Sequence, residues 1–264
     1  MAIFPEILLQ RSVYVVQIKV FCEEIPPPDW KEKKHSKNGI FLDIWRIPLS
    51  LSKQSFETIN GFLSDEERAQ AHRFAQKADR NRYILGRGFL RKLLQVYLNE
   101  DNGSLRFGKN RYNKPFLLRR DEFHFNSSHG GDWVVIALSG NEVGIDIERI
   151  DPRFTFEELL PTFFSESEIA YIRQSPRPIE SFYTIWTRKE ALLKGIGLGI
   201  TDHLNEYTLL SGSQEMLLPS LSPNREWQVR SFSMDPTYRL SLAFPQRNLQ
   251  LRFFHWDCLF PDNG

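Results

Sequence analysis

Two stretches about a hundred residues apart carry the same start-of-helix text. FLSDEE (62–67) and FFSESE (163–168) each place a serine three residues before a glutamate, Ser64 with Glu67 and Ser165 with Glu168. That spacing is a capping box: the serine oxygen takes an N–H of the first helical turn, and the glutamate reaches back to the serine N–H. Helical text follows each box, RYILGRGFLRKLLQ after the first and FYTIWTRKEALLKGIG after the second, and strand-like segments lead each copy. Tyr83, Leu90, Leu94 and Tyr97 fit an apolar helical stripe in the first copy. Two copies are too few for a solenoid, so the pattern predicts a duplicated lobe. The expected fold is α+β: two similar lobes related by a pseudo-twofold, each an antiparallel sheet packed with helices. The active site is expected in the cleft between them, where small-molecule sites concentrate.

A chain of 264 residues has room for this arrangement. The lobes are expected at 39–142 and 143–264. EEIPPPDWKEKKHSKN (23–38) is proline-rich and then strongly charged, so residues 1–38 read as an N-terminal extension and linker. IFLDIWRIPL, just after Gly39, reads as the first strand. Trp133–Leu138 and Val143–Glu148 read as two more strands, with SGNE (139–142) as a hairpin turn. YRLSLAF and LQLRFFHW add strands in the last third.

The net charge of +1 carries no whole-protein signal for nucleic acid or an anionic membrane. No stretch is apolar enough to span a bilayer, so a soluble cytoplasmic protein is expected. Cys22 and Cys258 lie near opposite ends without metal-ligand spacing and read as free thiols in a reducing compartment.

Chemistry concentrates in three places. In VGIDIE (143–148), side chains two apart share a strand face, so Asp146 and Glu148 stand together opposite Ile145 and Ile147. Adjacent carboxylates repel, and a cation, a metal ion or open water must offset that. Magnesium takes one or two protein carboxylates and fills its other positions with water and phosphate oxygens. Taken alone, the hexapeptide reads as an exposed face with two solvated acids. In IWTRKEALLKGIGLG (185–199), Thr187, Glu190 and Lys194 continue a polar stripe from Tyr183. Phe182, Ile185, Trp186, Leu192, Leu193 and Ile196 form its buried side, with Lys189 as an exception. Glu190 and Lys194 make either a surface i,i+4 ion pair, or a metal-binding or proton-accepting acid with a phosphate-facing lysine one turn away. GIGLG reads as a helix terminator, and no GxxxxGK[ST] occurs. The third place is basic: Arg73, Lys77, Arg80, Arg82, Arg87, Lys109, Arg111 and Lys114. Such a set beside two acids suits a polyphosphate ligand. Ser128 and His129 in NSSHGG enter a glycine turn that either holds a phosphate or carries a histidine without a role.

The order NKP, FNSSHGGDW, VGIDIE, FFSESE, FYTIWTRKEALLKGIGLGI resembles the Sfp-type 4′-phosphopantetheinyl transferases over roughly residues 40–245. The family's strand signature stands at 143–148 and its helix signature at 186–194. The resemblance implies an enzyme that moves the phosphopantetheine arm of coenzyme A onto a serine of an apo acyl or peptidyl carrier protein. It implies release of 3′,5′-ADP and a need for Mg2+, with Mn2+ as a substitute. Asp146, Glu148 and Glu190 resemble the metal ligands. Glu190, Lys194 and His129 are the catalytic candidates. Lys77, Arg82, Lys114, Ser128, His129 and Lys194 are the candidates for coenzyme A contacts. Some members carry lysines where Glu67 and Gln70 stand here, so Arg73, Lys77 or Lys109 are expected to meet the 3′-phosphate. A monomer is expected, since one chain supplies both lobes, and neither nucleic acid nor membrane is expected as a partner. Two alternatives remain at this point: another magnesium-dependent phosphotransferase, and a carrier-binding paralogue without activity.

Overall fold

Strand-forming and helix-forming texts alternate twice along the chain, and the architecture follows them. The computed structural model describes residues 14–30, 41–199, 204–220, 224, 226–245 and 249–260. The first half runs β1 (Tyr14–Glu24), β2 (Phe41–Pro48), α1 (Lys53–Asn60), α2 (Asp65–His72), α3 (Lys77–Leu98), β3 (Phe107–Lys109), β4 (Pro115–Leu117), β5 (His124–Gly130) and β6 (Trp133–Ser139). The second runs β7 (Gly144–Arg149), α4 (Leu160–Phe163), α5 (Glu166–Gln174), α6 (Pro178–Ile196), β8 (Gly212–Ser220), β9 (Glu226–Asp235), β10 (Tyr238–Phe244) and β11 (Gln250–His255). The fold is α+β with two lobes. One is built on a four-stranded sheet, β11-β2-β6-β5, and the other on a five-stranded sheet, β7-β10-β9-β1-β8. β3 and β4 form a small hairpin. Both capping boxes form, at the starts of α2 and α5. α6 stops at Gly197, whose φ of 89° is the left-handed conformation that glycine adopts without strain.

Trp45, Leu85, Phe89, Leu93 and Ile136 pack α3 onto the outer face of the first sheet. Ile18, Val20, Leu192, Ile196 and Trp227 pack α6 onto the second. The inner faces meet through Ile44, Val135, Ala137, Ile145, Ile147 and Leu240. The layer order is therefore α3, first sheet, second sheet, α6. This is the period-2 alternation at work: Val134 and Ile136 face α3 while Val135 and Ala137 face the other lobe.

Three expectations need correction. Residues 14–24 are no appendage. β1 lies inside the second sheet, antiparallel to β8 and parallel to β9. Its alternate residues Ile18, Val20 and Cys22 are 1%, 0% and 1% exposed, so the strand is held by burial as well as pairing. The rest of the expected extension, 1–13 and 31–38, lies outside the described residues apart from 25–30. There Ile25 and Trp30 pack against the core between the sheets. Second, the sheets are not purely antiparallel: β1 with β9 and β11 with β2 are parallel. The two ends of the chain thus exchange lobes. Asp43 anchors the crossing strand, taking Arg252 Nε at 2.5 Å and Nη2 at 2.8 Å, with the Tyr97 hydroxyl donating at 2.5 Å. Third, β6 and β7 are not a hairpin. β6 pairs with β2 and β5, and β7 pairs with β10. A Cβ on Gly144 would overlap the Ala191 carbonyl oxygen of α6. β7 starts against that helix, in the other sheet, and SGNE is the link between lobes.

Candidate active site at the junction of the lobes

The edge strands of the two sheets, β5 and β7, meet through side chains instead of a backbone ladder. Asn126 Oδ1 accepts the Ile145 N–H at 2.9 Å, and Ser128 Oγ accepts the Ile147 N–H at 3.4 Å. A Cβ on Gly130 would come within 2.6 Å of the Ile147 oxygen, so this close approach requires glycine. With Ile145 and Ile147 fixed in the core, the pleat turns Asp146 and Glu148 to the opposite side, under α6.

Polar contacts set the height of α6 over that face. Thr187 Oγ1 lies 2.8 Å from Ser241 Oγ, and Arg188 Nε donates to Ser231 Oγ at 2.8 Å. Lys189, the exception in the apolar stripe, is 1% exposed and pairs with Glu168 at 2.9 Å. This places Lys194 Nζ 2.6 Å from Asp146 Oδ1 and 3.2 Å from Ser128 Oγ, while Ser128 donates to Asp146 Oδ1 at 2.8 Å. The second oxygen, Asp146 Oδ2, is buried without a hydrogen-bond partner, and so is Glu190 Oε1. Burial and then the Asp146 charge push the Glu148 carboxyl up to about 7, against the opposing effect of Lys194. Burial pushes Glu190 up to about 7, with Lys194 opposing and Asp146 adding to the rise. His129 keeps an exposed edge; crowding of its ring, then the Arg82 and Lys194 charges, hold it below its ordinary value.

The three acids thus carry more negative charge than Lys194 balances, with buried oxygens left over. Among the described residues no three acidic, histidine or cysteine side chains come together in a way that would hold a metal ion by themselves. Hard carboxylate oxygens without partners are nevertheless the donor set that suits a divalent cation completed by water and phosphate. Asp146 and Glu190 have the donor chemistry that such an ion takes.

Beside the acids, α2, α3, the β3–β4 hairpin and β5 enclose a groove of about 730 Å³. Arg82, Arg87, Lys109, Ser128 and His129 line it, together with Glu66, Glu67 and Asp79. Ser128 belongs to both halves of the site: it lines the groove and hydrogen-bonds Asp146. Of the residues singled out in the sequence, Asp146, Glu148, Glu190, Lys194, Ser128, His129 and Arg82 gather here. Two do not. Lys77 lines a different cavity between α1, α2 and α3, because it lies on another face of α3 from Arg82. Lys114 turns into the junction between lobes, where Nζ donates to the carbonyls of Val143 at 3.2 Å and Gly195 at 3.1 Å. Burial pushes its amine down to about 8, with Glu142 opposing. Of the residues expected to meet the 3′-phosphate, Lys109 lines the groove, whereas Arg73 Nη1 reaches Gln70 Oε1 at 3.4 Å. Arg87, named in the sequence only as one of the basic set, also lines the groove. It pairs with Glu67 at 2.5 Å, and the signal for it was its i,i+4 partner Arg91, which meets the same carboxylate.

Comparison with known proteins now decides the family. The model of the 4′-phosphopantetheinyl transferase superfamily matches residues 142–243, and the model of the 4′-phosphopantetheinyl transferase N-terminal region matches residues 50–141. Sfp of Bacillus subtilis is 30% identical over 78% of this chain and 90% of its own. The chain belongs to the 4′-phosphopantetheinyl transferases. It is an enzyme of that family. HetI of Nostoc is 30% identical over 81% of this chain and 92% of its own, and gsp of Aneurinibacillus migulanus is 34% identical over 61% and 68%. The boundary between the two family models falls at residues 141 and 142, in the link that carries the chain from one sheet to the other.

Proposed function

We propose that the chain transfers the 4′-phosphopantetheine arm of coenzyme A to a serine of an apo acyl or peptidyl carrier protein and releases 3′,5′-ADP, with magnesium bound. One observation carries this reading: the basic groove meets the acid cluster at Ser128, next to two buried carboxylate oxygens that lack partners. Arg82, Arg87 and Lys109 suit the phosphates of the nucleotide end, since guanidinium and ammonium groups favour phosphate oxygens. Asp146, Glu148 and Glu190 would hold Mg2+, or Mn2+ in its place, which neutralises charge on the pyrophosphate when bound. The carrier serine Oγ attacks the phosphorus that bears the pantetheine arm. The bond from that phosphorus to the bridging oxygen breaks, and 3′,5′-ADP leaves with the electron pair. Glu190, with its raised proton affinity, takes the serine proton directly or through a water. Lys194 and His129 place positive charge or hydrogen bonds where charge develops on the phosphoryl oxygens. One chain supplies both walls of the site, so the reading needs no second copy. No described helix is long and apolar enough to cross a membrane.

The test is the intact mass of an apo carrier protein incubated with this enzyme, coenzyme A and magnesium, beside a sample with excess EDTA. A phosphopantetheine mass gain only without EDTA is expected. No gain on fatty-acid, polyketide and peptide carriers alike would overturn the reading in favour of a carrier-binding protein or a different phosphate donor.

A further inference from the structure

The second cavity, where Lys77 lies, has chemistry of its own. It measures about 290 Å³ and sits between α1, α2 and α3. On α3 its lining residues Lys77, Arg80, Asn81 and Ile84 follow helical spacing, and the groove takes Asp79, Arg82, Tyr83 and Gly86 from the opposite face. No residue lines both spaces.

Three further facts bear on what it holds. Arg68 and His72 of α2 join Lys77 and Arg80, and no carboxylate is among the described lining residues, whereas the groove carries three. Arg68 is paired with Asp65 at 2.8 Å, which leaves Lys77 and Arg80 as the uncompensated charges of the cavity. Arg80 Nε is buried and has no hydrogen-bond partner, a state that costs free energy unless a ligand supplies an acceptor. A guanidinium with an unused donor and an ammonium at one small space favour an anion with several acceptor oxygens. The volume is less than half that of the groove, too small for a second dinucleotide-sized ligand.

We propose that the α1–α2–α3 cavity is a separate binding site for a small phosphate-class anion, held by Lys77 and Arg80 with His72 at its wall. Its occupant would bridge α2 to α3, the two helices whose other faces build the groove.

The experiment is a titration of the full chain with inorganic phosphate at constant ionic strength balanced with sodium chloride, run with and without saturating coenzyme A. The reporter is the His72 imidazole resonance, assigned with a His72→Gln variant. A saturable shift that persists with coenzyme A bound is expected. Lys77→Ala should weaken it threefold or more and Lys77→Ala with Arg80→Gln at least tenfold, with the coenzyme A dissociation constant unchanged. Should Arg80→Gln fail to fold by circular dichroism, the exposed Lys77→Ala variant carries the test alone. No saturable shift, a shift equal in wild type and Lys77→Ala, or one abolished by coenzyme A would overturn the proposal. Failure to bind coenzyme A would count against the groove reading, and the phosphate titration without it still decides this one.

Discussion

The two lobes use the same device and turn it to different ends. In each, the capping-box glutamate also accepts a cation from the long helix that follows. In the first lobe Glu67 takes Arg87 and Arg91, both at 2.5 Å, and those side chains are 18% and 7% exposed. In the second, Glu168 takes Lys189 at 2.9 Å, with the lysine 1% and the acid 0% exposed. Glu168 also accepts the Leu209 N–H at 2.7 Å, while Lys189 donates to the carbonyls of Leu204 and Tyr207. The second-lobe pair is sealed scaffold; the first-lobe pair opens onto the groove, with Glu67 and Arg87 in its lining. The two long helices thus stand on equivalent footings. On the proposed function, one presents cations to the ligand and the other presents an acid and a lysine to the chemistry.

If that division is right, the largest effects belong to the second lobe. Asp146→Ala and Glu190→Ala should each lower the rate of transfer about a thousandfold or more, with circular dichroism unchanged. Lys194→Ala should lower kcat by about ten- to a hundredfold and change coenzyme A binding less. Near wild-type turnover in a folded Asp146→Ala or Glu190→Ala protein would break the assignment of chemistry to this lobe.

The sealed pair should matter next, to stability. Removing one partner of a buried ion pair leaves an uncompensated charge and costs about 3–5 kcal/mol, so Lys189→Met should be severely destabilised in urea unfolding. Arg91→Met leaves Arg87 on the same carboxylate and should cost about 1–2 kcal/mol. Equal losses would mean that the two pairs are equally sealed and that the contrast drawn from their exposure is wrong.

The parts of this molecule that could be read from its sequence are those written locally. A capping box needs four residues and a helix stripe needs a dozen, so the helical text at and after each box, the α6 terminator and the acid face of β7 were legible. β1 was not. Val20 pairs with Gln214 on one side and Trp227 on the other, and nothing local announces partners so distant in the chain. Side-chain direction was the second blind spot. Lys77 and Lys114 are of the right chemical type for a phosphate site, but helix face decided the first and a pair of carbonyls between the lobes decided the second.

Lys114 offers a gentler test of how the lobes are joined. Its amine has a proton affinity lowered to about 8 in the folded protein, against an ordinary value near 10.5. Between those pH values the unfolded chain binds the proton and the native one does not, so stability rises with pH across that window. Below about pH 8 both states are charged and the full cost of burying the ammonium is present. At about 1.4 kcal/mol per pKa unit, discounted for partial exposure, the gain is on the order of 2 kcal/mol. Cys22 and the buried tyrosines, whose protonated forms burial favours, act in the opposite sense over this window, so the readout is the difference between proteins. In urea unfolding at pH 8 and 10, Lys114→Met should lose this gain relative to wild type and lose stability from two stranded carbonyls. An equal change with pH in wild type and Lys114→Met would mean that Lys114 is solvated and does not tie the lobes.

The smallest effects belong to the cations of the first lobe, and they sharpen the comparison most. Lys109 is exposed and Arg82 is already paired with Asp79 at 2.7 Å, so neither is a pillar of the fold. If the first lobe binds and the second reacts, Lys109→Ala and Arg82→Ala should each raise KM for coenzyme A about tenfold, equivalent to about 1.4 kcal/mol, and leave kcat nearly unchanged. The loss should shrink as salt is raised, because exposed charge pairs are screened. Lys77→Ala, on the other side of α3, should leave KM for coenzyme A where it was. A fall in kcat equal to the fall in kcat/KM for Lys109→Ala would place that lysine on the transition state and erase the division of labour between the lobes.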